Sequence, residues 1–213
     1  MEKLDYKKAY KDLYLPKADP AAIEVPPMQF LMVEGCGNPN TPGGEYEKSV
    51  GLLYSLAYTI KMSKAGSEVE GYFEYTVPPL EGLWWLSDGG TYDVLKKDKF
   101  RFCSMLRQPK FITQEIFRWA CGEVARKKGI DTATAKLAPF EEGLCVQCMH
   151  IGPYDEEPQT LSRMQRFMEE NGYADDVGEI RRHHEIYLKD PLKTKAENLM
   201  TVLRHPVRRI QPS

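Results

Sequence analysis

One order of elements occurs twice along this chain, and it leaves few folds open. Met28 to Gly35 is rich in β-formers and ends in a glycine, and a loop of turn residues, 37–44, follows it. The spacing of Val50, Leu53, Tyr54, Ala57, Tyr58 and Ile60 then predicts a helix over Glu45 to Lys64. Strands are expected at 70–77 and 82–87, forming a hairpin about Pro78 and Pro79, and again at Phe100 to Leu106. A helix from Thr113 to Lys128, capped by Thr113 and stopped by Gly129, puts Ile116, Trp119, Ala120 and Val124 on one face. The second half repeats the order: a strand at 144–151 running into Gly152-Pro153-Tyr154, a helix at 159–171, and strands at 180–188 and 199–207. The expected class is therefore α+β, with two pseudo-symmetric β-α-β-β modules sharing an antiparallel sheet. Helices should cover one face and leave the other for a ligand cleft. The halves would span about 23–130 and 131–213, with residues 1–22, broken by Pro16 and Pro20, as an N-terminal arm outside the core.

Composition removes several function classes. With 42% hydrophobic and 28% charged residues and a formal net charge of -2, the chain is neither disordered nor charged like a nucleic-acid binder. The N-terminus lacks a secretory apolar stretch, and no window approaches the ~18 apolar residues of a membrane span, so a cytoplasmic protein with no membrane partner is expected. Five cysteines, an odd number, read as reduced thiols. Cys145 and Cys148 form a C-x-x-C, but in a strand residues three apart point to opposite faces, so no metal is expected there, nor any cofactor elsewhere.

Motifs of serine hydrolases, nucleotide hydrolases, dinucleotide binders and zincins are all missing. What stands out is the segment Arg181 to Leu188. Period two places His183, Glu185 and Tyr187 on one face and His184, Ile186 and Leu188 on the other, which suits packing under a helix. Phe73 and Tyr75 share a strand face, and Trp84 and Trp85 take opposite faces of the next strand, so one tryptophan faces the presumed open side. A tryptophan there calls for a partner, and an apolar ligand is one. His150 and Tyr154 lie where a strand meets its loop, a common position for binding groups. Each has a structural reading beside the functional one: aromatics on strands, and Trp119, as core, Glu185 as a charge facing water at an edge, and His183 and His184 as surface or hydrogen-bonded residues rather than metal ligands.

The segments His183 to Thr194, Leu199 to Val207 and Val25 to Asn40 resemble the signatures of the GyrI-like small-molecule-binding family, and the resemblance runs from about Val25 onward. It looks like the stand-alone branch, since no DNA-reading head precedes the domain. The resemblance implies paired β-α-β-β modules around a cleft for hydrophobic or aromatic compounds. Family members include effector domains of multidrug-sensing regulators, gyrase inhibitors, and hydrolases that open the cyclopropane of DNA-alkylating natural products. It carries the family's pocket glutamate onto Glu185 and its aromatic walls onto Tyr75, Trp84 or Trp85, and Tyr154. The implied activity is hydrolytic ring opening, with Glu185 as base and Tyr187 or Tyr154 helping to position water. Phe73, His150 and His183 complete the expected ligand contacts. The rival is a non-catalytic drug-binding protein; gyrase binding finds no support in the charge balance.

Overall fold

The computed structural model describes residues 3–89, 92–178 and 180–210. The chain opens with two single-turn helices, α1 (Tyr6–Ala9) and α2 (Lys11–Tyr14), and an edge strand, β1 (Ala21–Val25). The first unit follows: β2 (Met28–Cys36), α3 (Glu45–Met62), β3 (Leu80–Leu86) and β4 (Phe100–Gln108), with α4 (Gln114–Lys128) and β5 (Ala135–Phe140) appended. The second comprises β6 (Gly143–Ile151), α5 (Glu157–Glu170), the short β7 (Tyr173–Asp175), β8 (His183–Tyr187) and β9 (Met200–Arg209). Local chemistry sets several boundaries. Thr113 accepts a hydrogen bond from the Ile116 amide at the start of α4, and Gly129 ends that helix with φ 66°, a left-handed conformation that suits glycine.

The strands form one antiparallel sheet in the order β1-β6-β9-β8-β3-β4-β2-β5, with β7 beside the end of β9. Within it, β2-β4-β3 and β6-β9-β8 carry the same internal order and meet at the β3–β8 pair. The α+β class and the paired modules are thus present, and β1 and β5 extend the two outer edges.

Side chains opposite one another in an antiparallel ladder share a sheet face, and this locates Glu185. It pairs with Gly82, which pairs with Ser104, and the Ser104 hydroxyl meets that of Ser49 on α3 at 3.1 Å. On its other side Glu185 pairs with Leu203, which packs with Met164 and Met168 of α5. The Glu185 face is therefore the face that carries α3 and α5, and the site lies between the helices. The expectation of a cleft turned away from the helices is corrected, because alternation assigns residues to faces without saying which face a helix covers.

The opposite face receives the N-terminal segment. Tyr6, Leu13 and Tyr14 are buried in the main core, the Tyr14 hydroxyl donates to Glu81 at 3.1 Å, and Arg204 donates to the Leu13 carbonyl at 2.8 Å. Expected as an arm outside the core, residues 6–14 instead seal it. The expected 70–77 strand and its hairpin do not form; Tyr75 makes only an isolated bridge to Leu4. Both edges of β3 are taken by β4 and β8, and Pro78 and Pro79 have no N–H to offer a ladder. Trp119, assigned to the buried face of α4, is 43% exposed, its place taken by Phe117. Cys145 and Cys148 point to opposite faces and into separate core clusters as free thiols.

Candidate functional site

The face shared by Gly35, Phe102, Gly82, Trp84 and Glu185 is an aromatic floor. Two glycines make room for it. A Cβ at Gly35 would stand 2.5 Å from Phe102 Cζ, and one at Gly82 would stand 2.8 Å from Trp84 Nε1 and 3.2 Å from the Tyr187 hydroxyl. With that space open, the Trp84 indole lies back over its own strand and donates to the Tyr187 hydroxyl at 2.8 Å. Phe100, Phe102 and Tyr46 surround Trp84 with ring centroids 5.2–5.7 Å away, and Tyr154 meets Tyr187 edge-on at 6.0 Å. Tyr46 comes from the first turn of α3 and Tyr154 from the turn before α5, so both helix starts point at the same place.

Glu185, 5% exposed, sits in this enclosure. Its Oε1 accepts from the Tyr92 hydroxyl at 2.9 Å and lies 3.1 Å from His183 Nε2. Tyr92 comes from the β3–β4 loop and stacks on the His183 ring at 3.9 Å between centroids. Further along the same connection, the Lys97 ammonium lies 2.8 Å from Asp155 beside α5. Facing Glu185 is a second carboxyl, Glu157, the first residue of α5, which is 1% exposed. Donor atoms of Glu157, His183 and Glu185 lie within 4.8 Å of one another.

These two carboxyls are pushed apart in proton affinity. Burial, and then the nearby Glu185 charge, raise Glu157 well above the ordinary carboxyl value; neither of its oxygens has a hydrogen-bond partner among the described residues. Burial acts on Glu185 too, but the hydrogen bond with His183, with help from those of Tyr187 and Tyr92, outweighs it and holds Glu185 below its usual value. His183 is lowered, chiefly by burial, which leaves a neutral imidazole. Burial and the Glu185 charge raise Tyr92 and Tyr187, and lift Tyr154 to about 12, so the phenols keep their protons. The result is two carboxyls side by side in an aromatic enclosure, one with its proton affinity raised and one with it lowered, an arrangement suited to acid–base work.

Of the residues singled out by sequence, the structure brings Glu185, His183, Tyr187, Tyr154 and Trp84 together. Trp85 takes the other sheet face, where Arg182 lies 4.6 Å over its ring. Phe73 and Tyr75 are held elsewhere, around Phe111 and Tyr6. His150 lies under α5, bound to Thr160 Oγ1 and the Pro153 carbonyl at 2.9 and 3.0 Å, and so braces the turn that carries Tyr154. Glu157, Tyr46, Tyr92, Phe100 and Phe102 were not foreseen. Glu157 and Tyr46 sit at helix starts among other acidic residues, and in sequence they look like ordinary first-turn positions.

The chain belongs to the family described as the GyrI-like small molecule binding domain, whose model matches residues 18–208. It is similar to an uncharacterized conserved protein from Listeria innocua, with 49% identity, TM-score 0.90, and coverage of 97% of this chain and 100% of that one. A second Listeria innocua protein, described as a hydrolase, is 47% identical over 97% and 100% of the two chains, with TM-score 0.87. The C-terminal domain of EcmrR shares the fold at 13% identity and TM-score 0.53, covering 90% of this chain and 98% of that domain. No curated protein matches the chain. Among the described residues, no helix is long and apolar enough to cross a membrane.

Proposed function

We infer that this protein binds small aromatic, electrophilic xenobiotics and detoxifies them by hydrolytic opening of a strained cyclopropane, as in DNA-alkylating natural products. The observation that carries the reading is the Glu157–Glu185 pair, two buried carboxyls that face each other within an aromatic enclosure and whose surroundings push their proton affinities in opposite directions. A 47%-identical relative described as a hydrolase supports it. Glu185 accepts a proton from water as the oxygen attacks the ring carbon. The C–C bond breaks, its electron pair flows into the conjugated carbonyl, and Glu157 supplies the proton that neutralises that oxygen. Trp84, Tyr46 and Phe102 hold the planar substrate by stacking, and the closed site keeps bulk water from competing. Buried free thiols such as Cys148, which burial raises to about 11, suit the reducing cytosol.

The test is incubation with a cyclopropane-bearing alkylator, following the ring-opened, water-added product by mass spectrometry. Turnover in excess of enzyme is expected. Retention of one unchanged ligand per chain would instead make the protein a drug sequesterer.

A further inference from the structure

Behind Glu185, a line of three hydrogen bonds leads out of the aromatic enclosure to the surface. Glu185 Oε1 meets His183 Nε2 at 3.1 Å, His183 Nδ1 meets His205 Nε2 at 2.8 Å, and His205 Nδ1 meets Asp175 Oδ2 at 3.0 Å. The first three residues are buried, while the Asp175 side chain is 33% exposed. Strand β7 makes the outer end of the line by pairing Asp175 with Val207, two residues beyond His205 on β9.

Counting protons gives the line a definite charge. Each of its three bonds must contain one proton. Two neutral imidazoles bring one N–H each, and two carboxylates bring none, so an intact line holds one proton more than its neutral rings supply. With Glu185 ionised and His183 neutral, His183 donates from Nε2 to Glu185 and accepts at Nδ1 from His205. Keeping all three bonds then requires a proton on each His205 nitrogen, one directed at His183 and one at Asp175. Burial works against the Asp175 charge, yet the bond to His205 holds that carboxyl below its ordinary value.

We propose that His205 and Asp175 are positioning residues for the base, storing its proton as the His205 cation so that Glu185 stays ionised inside a closed site. The proton returns by two short shifts. That on His183 Nε2 passes to Glu185 as that on His205 Nε2 passes to His183 Nδ1, leaving His205 neutral and Glu185 protonated with every bond intact. No oxidant or co-reactant is required. The line thus ties the charge of a buried carboxylate to solvent at Asp175. This inference rests on Glu185 being the base of the proposed hydrolysis.

Other titratable groups face the line from each side. Tyr92, Tyr187 and Glu157 face Glu185. Asp176 and Arg181, near the outer end, are bonded to each other at 2.8 Å. His184 lies on the other face of β8 between Glu81 and Glu142.

Asp175→Asn keeps an acceptor for His205 but removes the charge, so it isolates the effect. Its acid limb of kcat against pH should move upward by about one unit, roughly a tenfold loss of kcat on that limb, with KM unchanged and kcat restored at higher pH. Asp175→Glu should restore the profile, and His205→Gln should shift it at least as far. Profiles that coincide with wild type in both Asp175→Asn and His205→Gln overturn the proposal. A second measurement needs no turnover: nitrogen-15 NMR of the imidazoles at pH 7 should show His205 protonated on both nitrogens and His183 on Nε2 alone. A neutral His205 overturns the proposal. Absence of ring opening by the wild type would sink the hydrolase reading, while the NMR result would still decide the state of the line.

Discussion

Glu157 and Glu185 differ in surroundings, and the roles proposed for them rest on that difference. Glu185→Gln should abolish turnover while stoichiometric binding of an apolar ligand persists, and equal turnover by the variant would remove the proposed base. Glu157→Gln should lower kcat by about 10²–10⁴-fold, the usual contribution of a positioned acid or base, with little change in ligand affinity measured by titration calorimetry. A second charged group lies on the opposite sheet face: His184 is 3.1 Å from Glu81 and 2.9 Å from Glu142, and Arg204 is 2.7 Å from Glu142. Despite burial, its carboxylate neighbours raise His184 to about 9, while His184 and Arg204 together hold Glu142 down to about 2. A raised histidine stabilises fully below its unfolded value of 6.5 and loses that contribution as pH rises through about 9. A lowered glutamate stabilises above 4.5 and loses its contribution as pH falls through about 2. Urea midpoints should therefore be flat for this network between about pH 5 and 6 and fall on both sides; a midpoint that climbs from pH 7 to pH 10 contradicts it. Removing one partner, as in Arg204→Met, should cost about 3–5 kcal/mol because it leaves a buried carboxylate uncompensated.

At the scale of elements, the β3–β8 pair is where the two modules become one site. Gly82→Ala should displace the Trp84 indole, since the new methyl would meet Nε1 at 2.8 Å, and should break its bond to Tyr187. Altered tryptophan fluorescence and weakened ligand binding are the expected readouts, and an unchanged spectrum with unchanged affinity would show that the glycine is not needed there. By contrast, Trp119→Ala on the exposed face of α4 should change stability by no more than about 0.5 kcal/mol. Much of this scale was legible in the sequence. Helical spacing found α3, α4 and α5, and period two put His183, Glu185 and Tyr187 on one face of β8, because these signals depend only on local geometry. The 70–77 segment misled because its β-forming residues are equally good aromatic core. Strand propensity reports side chains that pack well, not a free ladder edge beside them.

For the whole molecule, the N-terminal segment matters more than its charged composition suggests. Tyr6, Leu13 and Tyr14 close the sheet face opposite the site, and each buried side chain of this size contributes about 1.5–3 kcal/mol. A chain lacking residues 1–15 should unfold at markedly lower urea, and an unchanged midpoint would show that the segment adds nothing to the core. The sequence by itself determined the doubled β-α-β-β order, the α+β class, and the face on which Glu185, His183 and Tyr187 stand together, since backbone periodicity sets these within a few residues. Only the tertiary structure decided which side of the sheet the helices cover, that Trp84 rather than Trp85 joins Glu185, and that Glu157 stands across from it. Those facts arise from contacts between segments far apart in the chain, where register between strands and the docking of two helix starts, rather than any local pattern, bring the groups together.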